Sequence, residues 1–435
     1  MHLDQENLTV QQRAAAERCL AVLLGTLQAR QIVLAGYAGT GKTWTTGAIV
    51  RALLAADRRV TVLAPTHKAL AQVRARLPEG VATYTIHQGL GLRMRRDDDG
   101  ELRAMPAGSP PVRHAHCVVV DEASMVGDSL YAMLQVAVEG RPVLWVGDPA
   151  QLPPVRDGDE SPVWERVSEQ VRLTEIVRQA DGSGIAQASL MVRQAIEDNR
   201  RVQLRDLQSY AGDEIMVVPG GVGVVADIVV DGIRAGLDCR AIAFRNDPVL
   251  QIADMVHAAT HPAGAHRYSE GDPVVFGRQY GQSENDRIAN NTEGVVAGVE
   301  GEEEVEGVPA WRVRVRFADD CPSVLVPADL REHERRLGAT KRALKTANQQ
   351  WEKARNRETG ERRAEALRLL GLYQDGFADL RHTYASTAHK AQGSTYDAAV
   401  LHWRDLCLMR RDLDFNRAVY VALTRPSRYL CVVGS

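Results

Sequence analysis

Aromatic residues make up only 5% of this 435-residue chain, too few for the rows of stacked rings on which single-strand-binding proteins lay bases. Its six cysteines are widely spaced and form no CxxC pair, which excludes a cysteine zinc knuckle and a disulfide framework and leaves reduced, mainly buried thiols. No apolar run approaches the roughly 18 residues of a membrane span. The segment Met1 to Thr9 is polar and acidic rather than a signal peptide, so a cytoplasmic location without membrane contact is expected. An excess of positive charge is also lacking. With a net charge of −3, any nucleic-acid site must be a local groove and not a basic surface. What remains is an ordinary globular composition, 45% hydrophobic and 25% charged, long enough for two or three domains.

The strongest positive signal is Gly36-Tyr37-Ala38-Gly39-Thr40-Gly41-Lys42-Thr43, directly behind the apolar run Ile32 to Ala35. A buried strand, a glycine-rich turn and a following helix from Trp44 to Ala56 form a phosphate-binding P-loop. Gly39, Thr40 and Gly41 let backbone N–H groups face the phosphates; Lys42 reaches the β- and γ-phosphates, and Thr43 holds Mg²⁺. A second strand, Val118 to Val120, ends in Asp121-Glu122, adjacent carboxylates suited to metal binding through water (Asp121) and to accepting a proton from attacking water (Glu122). A third, Val143 to Val146, runs into Gly147-Asp148-Pro149-Ala150-Gln151-Leu152-Pro153-Pro154. There Gln151 can sense a γ-phosphate and orient water.

Strand and helix alternate up to about residue 180, as in a parallel sheet covered on both faces. Between them, Leu92 to Arg96 and Glu101 to Ala104 flank Asp97-Asp98-Asp99-Gly100 as a β-hairpin. A second α/β region starts near Ser183, with strands at Arg240 to Phe244, Ala398 to His402 and Tyr429 to Val433. It is interrupted by short alternating strands from Gly271 to Val326, expected to form a small β-barrel, and by a helical stretch from Arg331 to Arg368. One barrel strand alternates Arg312, Arg314 and Arg316 with Val313, Val315 and Phe317; its arginine face is either a nucleic-acid stripe or, the preferred reading, a solvated one.

Taken in order, Leu8-Thr9-Val10-Gln11-Gln12, the P-loop, Ala64-Pro65-Thr66-His67-Lys68, Tyr84-Thr85-Ile86-His87, Val118 to Ser124, Gly147 to Val155, Leu173 to Gln179, Ser386 to Ser394 and Tyr420 to Arg425 resemble the motif series of a superfamily 1B DNA helicase. The likeness is to the RecD-like branch, and within it to compact helicases of the phage Dda type. It implies two RecA-like P-loop domains with parallel sheets, a β-hairpin inserted in the first, and an SH3-like β-barrel plus helices inserted in the second. The expected boundaries are 1–180 (hairpin about 88–113), 181–265 with 380–435, and 266–379 for the insertion.

The resemblance also implies roles. Gln12 looks like an adenine-recognising glutamine, favouring ATP, and Arg178 and Arg425 look like two arginine fingers completing the catalytic set of Lys42, Glu122 and Gln151. Pro426 departs from the small or polar residue usual after the second finger. Thr66, His67, Thr85, His87, Thr387 and His389 look like contacts to a single-stranded DNA backbone; by themselves such residues are usually local caps. The implied activity is ATP-driven 5′ to 3′ movement on single-stranded DNA with unwinding of forks by a monomer, alongside a single-strand-binding protein or replication and recombination proteins. The hairpin tip Asp97 to Gly100 is the candidate separating pin. A motor subunit of a recombination complex, or a protein-stripping translocase, is the alternative. A P-loop kinase or GTP switch is disfavoured, because neither needs Thr387 to Ser394 or Thr424-Arg425.

Overall fold

The computed structural model describes residues 7–96, 102–154, 160–177, 183–281, 288–317 and 320–434. The chain divides into two compact units, residues 1–92, 106–256 and 385–435 in one and 93–105 with 257–384 in the other. No described helix is long and apolar enough to cross a membrane.

The first unit is built on two parallel sheets. Strands β1 (Gln31–Gly36), β2 (Val60–Ala64) and β3 (Ala82–Thr85) open the first sheet; a hairpin of β4 (Leu92–Arg96) and β5 (Leu102–Pro106) interrupts the sequence before β6 (Cys117–Val120), β7 (Val143–Gly147) and β8 (Gln170–Leu173). Their order across the sheet is β3-β2-β6-β7-β1-β8. Alternate residues of β1 face opposite layers, as the two-residue period of a strand requires. Ile32 and Leu34 pack with Leu20, Ile49 and Leu53 of the helices Val10–Leu23 and Lys42–Ala55, while Val33 and Ala35 pack with Val118, Val120 and Trp145. Full burial of each of these larger apolar side chains contributes about 1.5–3 kcal/mol. The polar edge of buried Trp145 is satisfied, since its Nε1 donates to Gln31 Oε1 at 2.9 Å.

The second sheet starts with β9 (Ile215–Val218) and β10 (Cys239–Ala243). The sequence then supplies the other unit: β11 (Pro273–Phe276), β12 (Glu293–Val305), β13 (Val308–Arg316), β14 (Ser323–Pro327), a long helical pair, and β15 (Leu380–His382). It returns as β16 (Ala385–Thr387), β17 (Tyr396–His402) and β18 (Pro426–Val433), giving the order β16-β10-β17-β18-β9. Pro426 is the first residue of β18, a place where its missing N–H is tolerated.

Within the second unit the antiparallel order is β14-β13-β12-β11-β15. The N–H of Ala378, just ahead of β15, donates to Leu325 O of β14 at 2.7 Å, drawing the two sheet edges together. Val274, Phe276, Val296, Val313, Val315, Val324 and Val326 fill the interior. The arginine stripe of β13 faces its antiparallel neighbour: Arg312 pairs with Glu303 at 2.6 Å and Arg314 lies 3.6 Å from Glu300. Cross-strand ion pairs of this kind belong to a solvated strand face. The helices Leu330–Ala354 and Arg357–Gly371 close over Leu344, Ala366 and Leu370, with ion pairs such as Arg357–Glu361 on their outer faces.

Candidate active site

Parallel register brings the chemistry to one edge. Ala35 pairs with Gly147, Leu63 with Val120, and Val120 with Trp145, so β1, β2, β6 and β7 end together at their carboxyl ends, where ligands of open α/β sheets bind. Gly36 to Thr43, Thr66, Asp121-Glu122 and Gln151 all leave the sheet there.

The P-loop conformation depends on its glycines. Gly39 and Gly41 have φ of +81° and +79°, and a Cβ on Gly41 would come within 2.5 Å of Gln12 Nε2. Lys42 folds back, its Nζ donating to the Gly36 and Tyr37 carbonyls at 2.9 Å each. Thr43 is half-buried at the start of the helix Lys42–Ala55. Gln12 is buried, with Nε2 donating to Thr40 O at 3.0 Å and Oε1 accepting from the Thr9 N–H at 3.1 Å. Its amide therefore braces the P-loop directly.

Asp121 and Glu122 are half-buried neighbours. Burial raises both acids above the usual carboxylate range; for Asp121 the Glu122 charge adds to the rise, while for Glu122 the charges of Lys42 and Arg425 oppose it. Glu122 also sits at φ 51°, ψ 47°, a left-handed conformation that costs of order 1–3 kcal/mol for a side-chain-bearing residue. A Cβ on Gly393, in the segment Ser386 to Ser394, would lie 4.0 Å from Glu122 Oε1. Gln72 Nε2 donates to the Gly393 carbonyl, and Gln392 Nε2 donates to Leu152 O at 3.2 Å. Gln151 is buried with its Oε1 lacking a hydrogen-bond partner.

Arg425 is buried, its guanidinium donating to the carbonyls of Val421 (2.9 Å) and Ser394 (3.1 Å) and to the Thr424 hydroxyl (2.8 Å). Arg178, its expected companion, lies outside the described residues, as does the hairpin tip Asp97 to Gly100. The six residues expected at the backbone of a nucleic acid fall into three like arrangements. Thr66, Thr85 and Thr387 are N-caps, accepting from the N–H of Ala69 (3.1 Å), Gln88 (3.3 Å) and Lys390 (3.4 Å). Beside them, burial holds His67, His87 and His389 below the ordinary histidine range, so these imidazoles are neutral at physiological pH. Neutral rings and helix-start amides offer hydrogen bonds to phosphate without net charge.

One group went unassigned in the sequence. Asp148, fully buried, accepts from Arg193 Nη1 at 2.6 Å and from the Tyr420 hydroxyl at 2.7 Å. The Tyr420 oxygen in turn accepts from the P-loop N–H of Ala38 at 3.0 Å, and the Arg193 guanidinium lies over the Tyr37 ring at 3.8 Å. Asp148 and Tyr420 stand inside recognised motifs, but Arg193 lies in an amphipathic helix, Gly184–Glu197, with nothing to mark it.

Comparison with known proteins fits this geometry. Residues 7–210 match the AAA domain family, and residues 382–433 match the UvrD-like helicase C-terminal domain. Over 163 residues, 37% of this chain, the sequence is 36% identical to the ATP-dependent RecD2 DNA helicase of Deinococcus radiodurans. A 141-residue stretch is 27% identical to an uncharacterized protein of Acanthamoeba polyphaga mimivirus. The chain spans only 21% and 28% of these two relatives. In fold it is similar to the Pif1 helicase of Candida albicans, with a TM-score of 0.51 at 16% identity, covering 98% of this chain and 94% of that one. Matches at both ends of the chain are thus to an AAA domain and to a helicase C-terminal domain, and the fold is like that of a Pif1 helicase. In fold, the two parallel sheets correspond to a RecA-like pair.

Two outcomes test this site. Since burial lifts Asp121 and Glu122 above their unfolded range, the nucleotide-free protein holds their protons more tightly folded than unfolded, and these acids cost stability as pH rises above the carboxylate range. Asp121→Asn is expected to raise Tm at neutral pH by about 2 °C or more, with the gain shrinking toward about pH 4, while abolishing ATP turnover; differential scanning calorimetry across pH reads the first effect. Arg193→Ala leaves the buried Asp148 charge with only the Tyr420 hydroxyl and the Ala150 N–H, and urea denaturation should record a loss of about 3–5 kcal/mol.

Proposed function

We propose that the chain is an ATP-dependent DNA helicase that translocates 5′ to 3′ on single-stranded DNA and unwinds forked duplex, with ATP hydrolysis stimulated by DNA. The observation that carries this reading is the convergence of the P-loop, the Asp121-Glu122 pair, Gly393 and Arg425 in one cleft between two RecA-like sheets.

In this reading Gly39, Thr40, Gly41 and Lys42 hold the phosphates of ATP, and Lys42 leaves the Gly36 and Tyr37 carbonyls to do so. Two half-buried adjacent acids, opposed by the charges of Lys42 and Arg425, make a site suited to a cation. Thr43 and Asp121 would hold Mg²⁺, which supplies neutralising charge to the phosphate oxygens. Glu122, raised by burial, accepts the proton of the attacking water, and Gln151, with its buried free acceptor, orients that water. Arg425 exchanges its carbonyl partners for developing γ-phosphate charge, with Arg178 as second finger. Gln12 turns part of its amide from the P-loop to adenine.

Coupling follows from differential affinity. Thr66, His67, Thr85 and His87 grip the DNA backbone from the first RecA-like domain, residues 1–180; Thr387 and His389 grip it from the second, residues 181–265 and 380–435. Closing and opening of the cleft around ATP alternates the grips, with the barrel and helices of 266–379 as an insertion and the hairpin as the separating pin. The protein acts as a monomer, alongside a single-strand-binding protein or replication and recombination proteins.

ATP turnover with and without single-stranded DNA, combined with unwinding of forks bearing a 5′ or a 3′ tail, tests the reading. Expected are stimulation by DNA and opening of the 5′-tailed fork alone. Unstimulated turnover contradicts the motor assignment, and opening of the 3′-tailed fork contradicts the polarity.

A further inference from the structure

Within the second compact unit, three histidines surround one buried carboxylate. His257 lies in the last turn of the helix Asn246–Thr260, His261 follows four residues later, Asp272 precedes β11, and His382 ends β15. The Nε2 atoms of His257, His261 and His382 stand 3.3, 3.0 and 3.4 Å from the Asp272 oxygens. The rings stack, with centroids 4.2 Å apart for His257 and His261 and 4.7 Å for His257 and His382. Asp272 is 2% exposed.

Hydrogen bonding alone leaves this cluster poorly accounted for. An ionised carboxylate offers about four acceptor positions. Besides the three imidazoles, Asp272 faces the Ser269 N–H at 2.7 Å and the Tyr384 hydroxyl at 3.4 Å, so polar groups crowd it from every side. His257 Nε2 is buried 3.3 Å from Asp272 Oδ2 without the alignment of a good hydrogen bond to it. His261 Nδ1 lies 3.1 Å from both the His257 carbonyl and the Thr260 hydroxyl, which leaves Nε2 directed at Asp272 Oδ1. A ring carrying its proton on Nδ1 presents an Nε2 lone pair to the Asp272 oxygen. A cation between them satisfies both.

We propose that His257, His261 and Asp272 bind a divalent transition-metal ion of the zinc class. The ligand atoms of these three residues all lie within 4.8 Å of one another. Zinc bonds of about 2.0–2.1 Å put tetrahedral ligands about 3.3 Å apart, close to the separations of the two imidazoles from the acid. Two histidines at i and i+4 are a recurrent zinc pair, and imidazole with carboxylate suits zinc better than calcium or magnesium. The His261 Nδ1 bond to a carbonyl is the outer contact that fixes a metal-binding tautomer. His382, on Asp272 Oδ2 and stacked on His257, orients the carboxylate. The ion would clasp the chain as it enters the barrel, at 257–272, to the chain as it leaves, at 382. Nothing in this site depends on the nucleotide cleft.

The test is titration of the chelator-stripped full-length protein with zinc, followed by calorimetry and by metal analysis after gel filtration. One zinc per chain and a raised Tm are expected. His261→Gln should abolish stoichiometric binding, and His382→Ala should weaken it about 10- to 100-fold without abolishing it. Circular dichroism confirms that each variant folds. Cobalt substitution of the unaltered protein gives a second readout, with a nitrogen and oxygen ligand field expected. Absence of stoichiometric zinc, unchanged affinity in His261→Gln, or a thiolate charge-transfer band from cobalt overturns the proposal. Should His261→Gln fail to fold, the cobalt spectrum and stoichiometry of the unaltered chain decide.

Discussion

The buried Asp148 carboxylate is the point on which the arrangement of the cleft depends. It follows directly from β7 of the first RecA-like sheet, yet its two strongest partners, Arg193 and Tyr420, come from helices packed on the second. A charge wholly removed from water must be compensated in place; the Ala150 N–H contributes locally, and the close approach of the two sheets supplies the cation and the hydroxyl. The same Tyr420 oxygen receives a P-loop N–H, so the interaction that joins the sheets also touches the phosphate cradle. Geometry of this kind lets occupancy of the P-loop and separation of the sheets influence one another.

Around that node the site stores unfavourable energy. Two carboxylic acids stand half-buried side by side, one of them on left-handed backbone, and the unpaired Gln151 oxygen lies in the same cleft. Each is a local cost that a triphosphate with its cation is built to relieve, which is how strain at functional sites is commonly held. Lys42 and Arg425 meanwhile rest on backbone carbonyls, weaker partners than the phosphate oxygens proposed for them.

Much of this was legible in the sequence where chemistry and burial coincide. Ile32 to Ala35 and Cys117 to Val120 are unbroken apolar runs, and strands appear over them within a residue. Strands β3, β8, β9 and β16 were not foreseen; they are three or four residues long, and β8 is largely exposed and mixed in polarity. The barrel was legible from alternation, and its arginine stripe is tied up by glutamates on the neighbouring strand, a pairing that only register reveals. Thr66, Thr85 and Thr387 carry a double signal: the cap that a lone threonine usually means is present in each case, at loops where the family pattern implies DNA. The cluster of His257, His261, Asp272 and His382 was invisible, because over a hundred residues separate its last member from the rest.

The account's central claim is that one cleft, completed by Arg425 from the second sheet, performs the hydrolysis. The most direct measurement is single-turnover ATP hydrolysis on single-stranded DNA by the unaltered protein and by Arg425→Ala, with affinity for a non-hydrolysable ATP analogue measured in parallel. The account predicts analogue binding changed by no more than several-fold and a hydrolysis rate reduced by about 10³ to 10⁵. A rate within a few-fold of the unaltered protein would contradict it.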